Sequence, residues 1–247
     1  DLSTNNLVAG AGAVGDTTIT VDDGINEARQ DITVTVNNLN DNVPIISKKG
    51  LFKHLDIADS SKDYLVLLKH PLSSKVKESY NYMKKSIKAV EKFCSRNNYL
   101  AICIAPNSDP GSYNMKKAIN EYRNEKWFHC FETLPRKYFI NLIRNMKVLV
   151  GNSSMGLLEA PYYKKPVVNI GTRQTGRLNA GNVKFTNYNQ ESIIKSIHQA
   201  CYDKKYLNKI KKMKNPYGDH NSAKKIKNVI EAINLNDMKW YVKKSVS

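Results

Sequence analysis

Lys147-Val148-Leu149-Val150-Gly151-Asn152-Ser153-Ser154-Met155-Gly156-Leu157-Leu158-Glu159-Ala160 reads as a strand, a polar turn and the opening of a helix. The Val-Leu-Val run is apolar without alternation, as in a strand covered on both faces. Working outward, the same unit repeats. Upstream, strands are predicted over 64–68, 99–104 and 127–131, with helices over 75–97, 112–125 and 135–146. Downstream of a helix over 154–164 comes a fifth strand, 166–170, and helices near 190–205 and 221–233 close the pattern. Continuous apolar strands alternating with helices predict an α/β fold, a doubly wound parallel sheet of Rossmann-like type. Ligands bind such sheets beyond the carboxyl ends of the strands, so the loops leaving those strands are where chemistry belongs.

Residues 1–47 differ from the rest. They hold seven acidic residues against one basic residue, Arg29, whereas 48–247 hold 38 basic against 15 acidic residues. Thr17-Thr18-Ile19-Thr20-Val21 and Asp31-Ile32-Thr33-Val34-Thr35-Val36 alternate with period two and are β-branched, so they predict two strands, with Asp22-Asp23-Gly24 as a turn between them. A boundary near residues 44–50 follows. The expected organisation is a short β segment over 1–47 and an α/β domain over 48–247.

The net charge of +17 raises the question of nucleic acid. Only seven of the 39 basic residues are Arg, the side chain that reads phosphates and base edges in bidentate fashion. The lysines are spread along helical faces, so a solvated lysine surface is the reading and no nucleic-acid partner is expected. No apolar run approaches the roughly 20 residues of a membrane helix. The opening Asp1-Leu2-Ser3-Thr4 lacks a basic stretch followed by an apolar block. No membrane partner and a cytoplasmic location are therefore expected. Cys94, Cys103, Cys130 and Cys201 are scattered without C-x-x-C spacing and read as small core residues in a reducing compartment, not as a metal or disulfide set.

Four loops carry candidate chemistry. In Gly151-Asn152-Ser153-Ser154, backbone N–H groups at a helix start and two hydroxyls suit a phosphate, while a plain helix cap at Ser153 or Ser154 is equally compatible. Glu159, one and a half turns on, has the wrong sign for phosphate and the right one for accepting two ribose hydroxyls. In Asn169-Ile170-Gly171-Thr172-Arg173-Gln174-Thr175-Gly176-Arg177, two glycines permit close backbone approach and two arginines offer bidentate anion contacts. In Lys69-His70-Pro71, His70 is placed to look into the cleft, for acid-base or phosphate work, or as a structural histidine. In Ala105-Pro106-Asn107-Ser108-Asp109-Pro110-Gly111-Ser112, Asn107 and Ser112 are candidate ligand contacts, and Ser112 is as readily a helix cap.

The order of these motifs, with Leu134-Pro135 and Asn215-Pro216-Tyr217-Gly218-Asp219, resembles the UDP-N-acetylglucosamine 2-epimerases over about residues 50–235. The Gly-Thr-Arg-Gln-Thr-Gly-Arg run is similar to the hydrolysing branch, which releases UDP and N-acetylmannosamine for sialic-acid-type or surface-polysaccharide synthesis. The resemblance implies the C-terminal half of a glycosyltransferase-B-type fold, with UDP-N-acetylglucosamine held between two Rossmann-type domains. It implies that His70, the catalytic candidate, touches the diphosphate, with Asn107 nearby. It also implies that the Leu134 backbone faces uracil, Ser153 and Ser154 hold phosphate, Glu159 holds the ribose, and Arg173 makes a polar contact. The family reaction eliminates UDP across C1–C2 and adds water on the other face. It needs no metal or nicotinamide, so no cofactor is expected.

Family members take their acid and base carboxylates from an N-terminal domain, and nothing in residues 1–49 resembles it. The expected partners are therefore UDP-N-acetylglucosamine or UDP, that missing domain, and a second copy of the chain in a homodimer. The alternative function is a UDP or UDP-sugar binding module without turnover. Residues 38–44, Asn-Leu-Asn-Asp-Asn-Val-Pro, are similar to a cadherin-type calcium linker, which by itself would read as an adhesin fragment. Too few oxygen ligands are present there for calcium to be expected.

Overall fold

The computed structural model describes residues 15–21, 30–36, 43–218 and 222–232. The chain divides into two units, 1–43 with 218–247, and 44–217. In the first, β1 (Gly15–Val21) and β2 (Gln30–Val36) form an antiparallel pair in unbroken register from Gly15↔Val36 to Val21↔Gln30. Each strand starts earlier than the period-two alternation predicts, β1 by two residues and β2 by one; the turn expected at 22–24 lies outside the described residues. Residues 38–42 of the calcium-linker reading lie outside the described residues.

The second unit runs α1 (Lys48–His54), β3 (Asp63–Leu68), α2 (Ser79–Asn97), β4 (Tyr99–Ile104), α3 (Ser112–Asn120), β5 (Phe128–Phe131), α4 (Arg136–Asn145), β6 (Val148–Gly151), α5 (Met155–Leu158), β7 (Val167–Ile170), β8 (Val183–Thr186), α6 (Gln190–Tyr202) and α7 (Lys204–Lys212). A last helix, α8 (Ser222–Glu231), belongs to the first unit. The six strands β3–β8 form one parallel sheet in the order β5-β4-β3-β6-β7-β8. The chain steps outward from β3 to β5, returns to the other side of β3 at β6, and steps outward again to β8. The reversal opens a crevice at the carboxyl ends of β3 and β6, where doubly wound sheets bind ligands.

Continuous apolar strands follow from burial on both faces. Tyr64, Val66 and Leu68 of β3 pack with Leu100, Ile102 and Ile104 of β4 against α1 and α4. Leu65 and Leu67 pack with Ala101 and Cys103 against α2, α3 and α6. The amphipathic stripe of α2 that meets this face is Met83, Ile87, Val90 and Phe93, spaced for one side of a helix. The start of the unit is pinned by buried Asn141. Its Nδ2 donates to the Pro44 carbonyl at 2.9 Å, and its Oδ1 accepts the Ile46 N–H at 2.8 Å.

The structure departs from expectation in four places. The helix predicted over 154–164 spans only Met155–Leu158 and continues as turns, because Pro161 has no N–H to sustain it. The helix predicted near 190–205 is two helices, with Asp203 capping the second by accepting the Tyr206 N–H on Oδ1 at 3.1 Å. A sixth strand, β8, and the short helix α1 appear where none is predicted.

Gly151 governs how closely β6 approaches β3. Its φ is +147°, and a Cβ there would stand 1.9 Å from the Leu68 carbonyl oxygen. Backbone on both sides leaves nothing to yield. Gly151→Ala is expected to destabilise the chain by about 3 kcal/mol or more, read as a lowered midpoint in denaturant unfolding. A change below about 1 kcal/mol would show that the two strands separate easily.

Candidate functional site

One asparagine draws the crevice loops together. Asn152 is 1% exposed and directly follows the Gly151 approach. Its Oδ1 accepts the His70 N–H at 2.7 Å and its Nδ2 donates to the His70 carbonyl at 2.9 Å, so its amide pairs with that residue's backbone as a neighbouring strand would. Its own carbonyl accepts from Gln174 Nε2 at 2.9 Å and from an Arg173 guanidinium nitrogen at 3.3 Å. Gln174, 1% exposed, in turn accepts from Arg177 at 2.7 Å. Thus the loops after β3, β6 and β7 meet at one residue. The loop after β4 joins through His70, whose Nδ1 lies 3.3 Å from the Asn107 N–H and 3.2 Å from Asn107 Oδ1. With Nδ1 unprotonated the imidazole accepts the first contact, and with Nδ1 protonated it donates to the second. Burial and the nearby Arg173 lower the His70 pKa, against the opposing effect of Asn107. The neutral form therefore dominates at pH 7.

Ser153 is 9% exposed, and its Oγ accepts the Met155 N–H at 3.3 Å, which leaves its own hydroxyl proton for a ligand. Ser154 is the N-cap of α5 but makes no capping bond with its side chain. With only four residues in α5, the macrodipole adds little, and anion binding here rests on hydroxyl and N–H donors. Glu159 ends α5, half-buried, and burial raises its pKa, outweighing the opposing effect of Arg136. Leu134 is partly buried against the α1/α4 core just before α4. Ser112 is not a cap: Gly111 occupies that position, and Ser112 donates its N–H to the Asp109 carbonyl at 3.0 Å. The turn at 215–217 ties into the same region, with Asn215 Nδ2 donating to the Leu158 carbonyl at 3.1 Å and the Tyr217 hydroxyl to the Leu178 carbonyl at 2.7 Å.

The structure thus joins His70, Asn107 and Arg173 in one network through Asn152, with Ser153 and Ser154 following Asn152 in the chain, while Glu159 and Leu134 stand on flanking elements. Sequence reasoning passes over Asn152, Gln174 and Lys69. Gln174 and Asn152 sit inside the motifs quoted above, but their partners lie in other loops. Lys69 had a signal: it extends the β3 alternation onto a buried face, where a lysine is out of place.

Among known proteins, the family model described as UDP-N-acetylglucosamine 2-epimerase matches residues 24–231, so the match begins inside the segment that composition sets apart. The chain is 32% identical over 140 residues to "UDP-N-acetylglucosamine 2-epimerase" of Neisseria meningitidis serogroup B, covering 57% of this chain and 36% of that protein. It is 30% identical over 190 residues to "UDP-N,N'-diacetylbacillosamine 2-epimerase (hydrolyzing)" of Legionella pneumophila, covering 76% of this chain and 48% of that protein. The chain therefore spans less than half the length of these relatives. A solved structure described as a UDP-N-acetylglucosamine 2-epimerase from Listeria monocytogenes superposes with a TM-score of 0.61 at 22% identity, over 79% of this chain and 50% of that one. The Neisseria meningitidis epimerase bound to UDP-GlcNAc gives 0.61 at 20% identity, over 74% and 48%. These likenesses establish the fold. None of these matches supports a cadherin-type reading of residues 1–47.

Because Asn152 satisfies both backbone groups of His70, Asn152→Ala leaves a buried N–H and carbonyl unpaired. The expected loss is about 2–4 kcal/mol in denaturant unfolding. A loss under about 1 kcal/mol would mean that water replaces the amide and that the loops are held by other contacts.

Proposed function

Starting from a chain that belongs to the UDP-N-acetylglucosamine 2-epimerase family, we propose that it forms the nucleotide-sugar-binding half of a hydrolysing epimerase. In this reading the chain binds UDP-N-acetylglucosamine in the cytoplasm and holds the UDP leaving group. A facing domain supplies the carboxylates that act on the sugar, and a second copy of the chain is a further candidate partner. The observation that carries the reading is the Asn152 junction, which gathers His70, Arg173 and the two serines at the switch point of the sheet.

Each residue has a task that follows from its chemistry. The Ser153 and Ser154 hydroxyls donate to phosphate oxygens. The Arg173 guanidinium, steered by the Asn152 carbonyl, offsets charge that develops on the diphosphate as the C1–O bond breaks. Neutral His70 donates from Nε2 when Nδ1 accepts the Asn107 N–H, and so stabilises the same leaving group. Glu159 accepts from the ribose hydroxyls, its charge supported by Arg136. Loss of UDP and of the C2 proton, then addition of water on the opposite face, gives N-acetylmannosamine.

A base at C2 is the part these loops do not offer. Glu132 is engaged with Lys116 at 2.6 Å and Arg123 at 2.8 Å, Glu159 serves the ribose, and Asp109 lies in the turn before α3. Proton transfer contributes typically about 10²–10⁴-fold, and closure over the sugar excludes water besides. This favours the second reading for the chain by itself, a UDP or UDP-sugar binding module.

Two measurements separate these readings from error. Calorimetry with UDP should show binding that weakens by about 1–3 kcal/mol in the double variant Ser153→Ala, Ser154→Ala. An unchanged affinity sinks the phosphate assignment. Incubating the 247-residue chain with UDP-N-acetylglucosamine should yield no N-acetylmannosamine. Turnover that disappears in His70→Ala would mean that catalysis needs no facing carboxylates.

A further inference from the structure

Leu65 and Leu67 turn towards α2 and α6, and the same alternation carries Lys69 to that side. Lys69 is 2% exposed. Its Nζ donates to the Tyr188 hydroxyl at 3.1 Å and stands 4.9 Å from the Tyr188 ring centroid and 6.0 Å from that of Tyr82. The two rings stack at 3.9 Å. Tyr188 also supports the loop after β7: a Cβ on Gly171, whose φ is +85°, would meet its hydroxyl at 2.6 Å. Lys69 therefore lies beneath the loop that presents Arg173.

The charged groups around Lys69 have the wrong sign to steady an ammonium. Arg173 acts on it from the β7 loop, and His70 follows it in the chain. From α2 and from the segment before α6 come only Tyr82 and Tyr188, and burial raises the Tyr188 pKa to about 12, so that ring stays neutral. Asp109 faces His70. Among the described ion pairs none involves Lys69. A buried ammonium beside other cations is disfavoured until an anion arrives. Burial, then Arg173, lowers its pKa to about 7.

We infer that Lys69 is a charge-regulating residue of the diphosphate subsite: boxed by Tyr82 and Tyr188, it takes up one proton from solvent when a nucleoside diphosphate enters beside His70 and Arg173. The inference rests on the nucleotide reading of the site and adds a regulation to it. The anion restores the ammonium, and the ammonium in turn strengthens the hold on the anion, since linkage between the two is reciprocal. Binding is then tightest below the pKa of the free site and weakens as pH rises towards that of the complex.

The test is calorimetry of UDP binding to the 247-residue chain at pH 8, in buffers of different ionisation enthalpy. At that pH the terminal phosphate, with a second pKa near about 6, is already ionised, so proton uptake comes from the protein. The wild type should take up about half a proton or more per UDP, and its affinity should fall about 3- to 10-fold from pH 7 to pH 9. Lys69→Met should show neither effect. Lys69→Arg, permanently charged, should bind without uptake and with a flat pH profile. If the Lys69 variants do not fold, wild-type uptake at pH 8, well above the range of the His70 imidazole with its lowered pKa, decides the matter, and its absence overturns the inference. Binding of UDP without uptake, or uptake that survives in Lys69→Met, overturns this inference alone. Binding of neither UDP nor inorganic pyrophosphate overturns it together with the reading it rests on.

Discussion

The site depends on how near β6 comes to β3 and on what happens to the backbone where the two strands end. In a parallel sheet the ladder bonds stop at the carboxyl edge, and the next N–H and carbonyl need new partners. Here Gly151 lets the backbone pass against the Leu68 carbonyl, and the next residue, Asn152, offers an amide that bonds both backbone groups of His70. The ladder is in effect prolonged by one side chain. With that amide committed to His70, only the Asn152 carbonyl is left to meet Gln174 and Arg173, so the orientation of the loop after β7 follows from the end of β6.

This arrangement creates a cationic crevice with little internal compensation. The charged forms of Lys69 and His70 would repel each other and Arg173, and burial penalises both of those charged forms. The energy that would hold the empty site together comes instead from hydrogen bonds to neutral groups: the Asn152 amide, the Gln174 amide and the Tyr188 hydroxyl. In the proposed reading, a site built this way is preorganised for a compact multivalent anion. It is a different solution from a surface lysine patch. Lys84 and Lys116 are paired with Glu121 and Glu132 at the solvent edge, where such pairs contribute little.

The sheet was largely legible because its strands are buried on both faces and therefore read as unbroken apolar runs. Edge strand β8 escaped notice for the converse reason: Val183, Lys184, Phe185 and Thr186 are half-exposed or exposed, and four such residues carry no continuous apolar signal. α1 has seven residues, too few for periodicity to register, and is fixed instead by Ser47, whose Oγ accepts the Gly50 N–H. In the site, His70, Asn107, the two serines and Arg173 were legible as polar residues in loops at one sheet edge. The Asn152–His70 pairing joins positions 82 residues apart, and no local pattern announces it.

That residues 44–217 can stand as a unit follows from how their core is closed. The face of the sheet built on Tyr64, Val66 and Leu68 is covered by α1 and α4, and the face built on Leu65 and Leu67 by α2, α3 and α6, all from residues 44–217. No apolar face of the central strands waits for a second domain. In the proposed reading, a facing domain would therefore contribute its carboxylates and its exclusion of water, not the folding of residues 44–217. The two functions can then vary separately. Under that reading, substitutions at Gly151 or Asn152 would strike folding and binding together, because the same backbone junction would serve both. A change in the facing carboxylates would strike turnover and leave the nucleotide crevice intact.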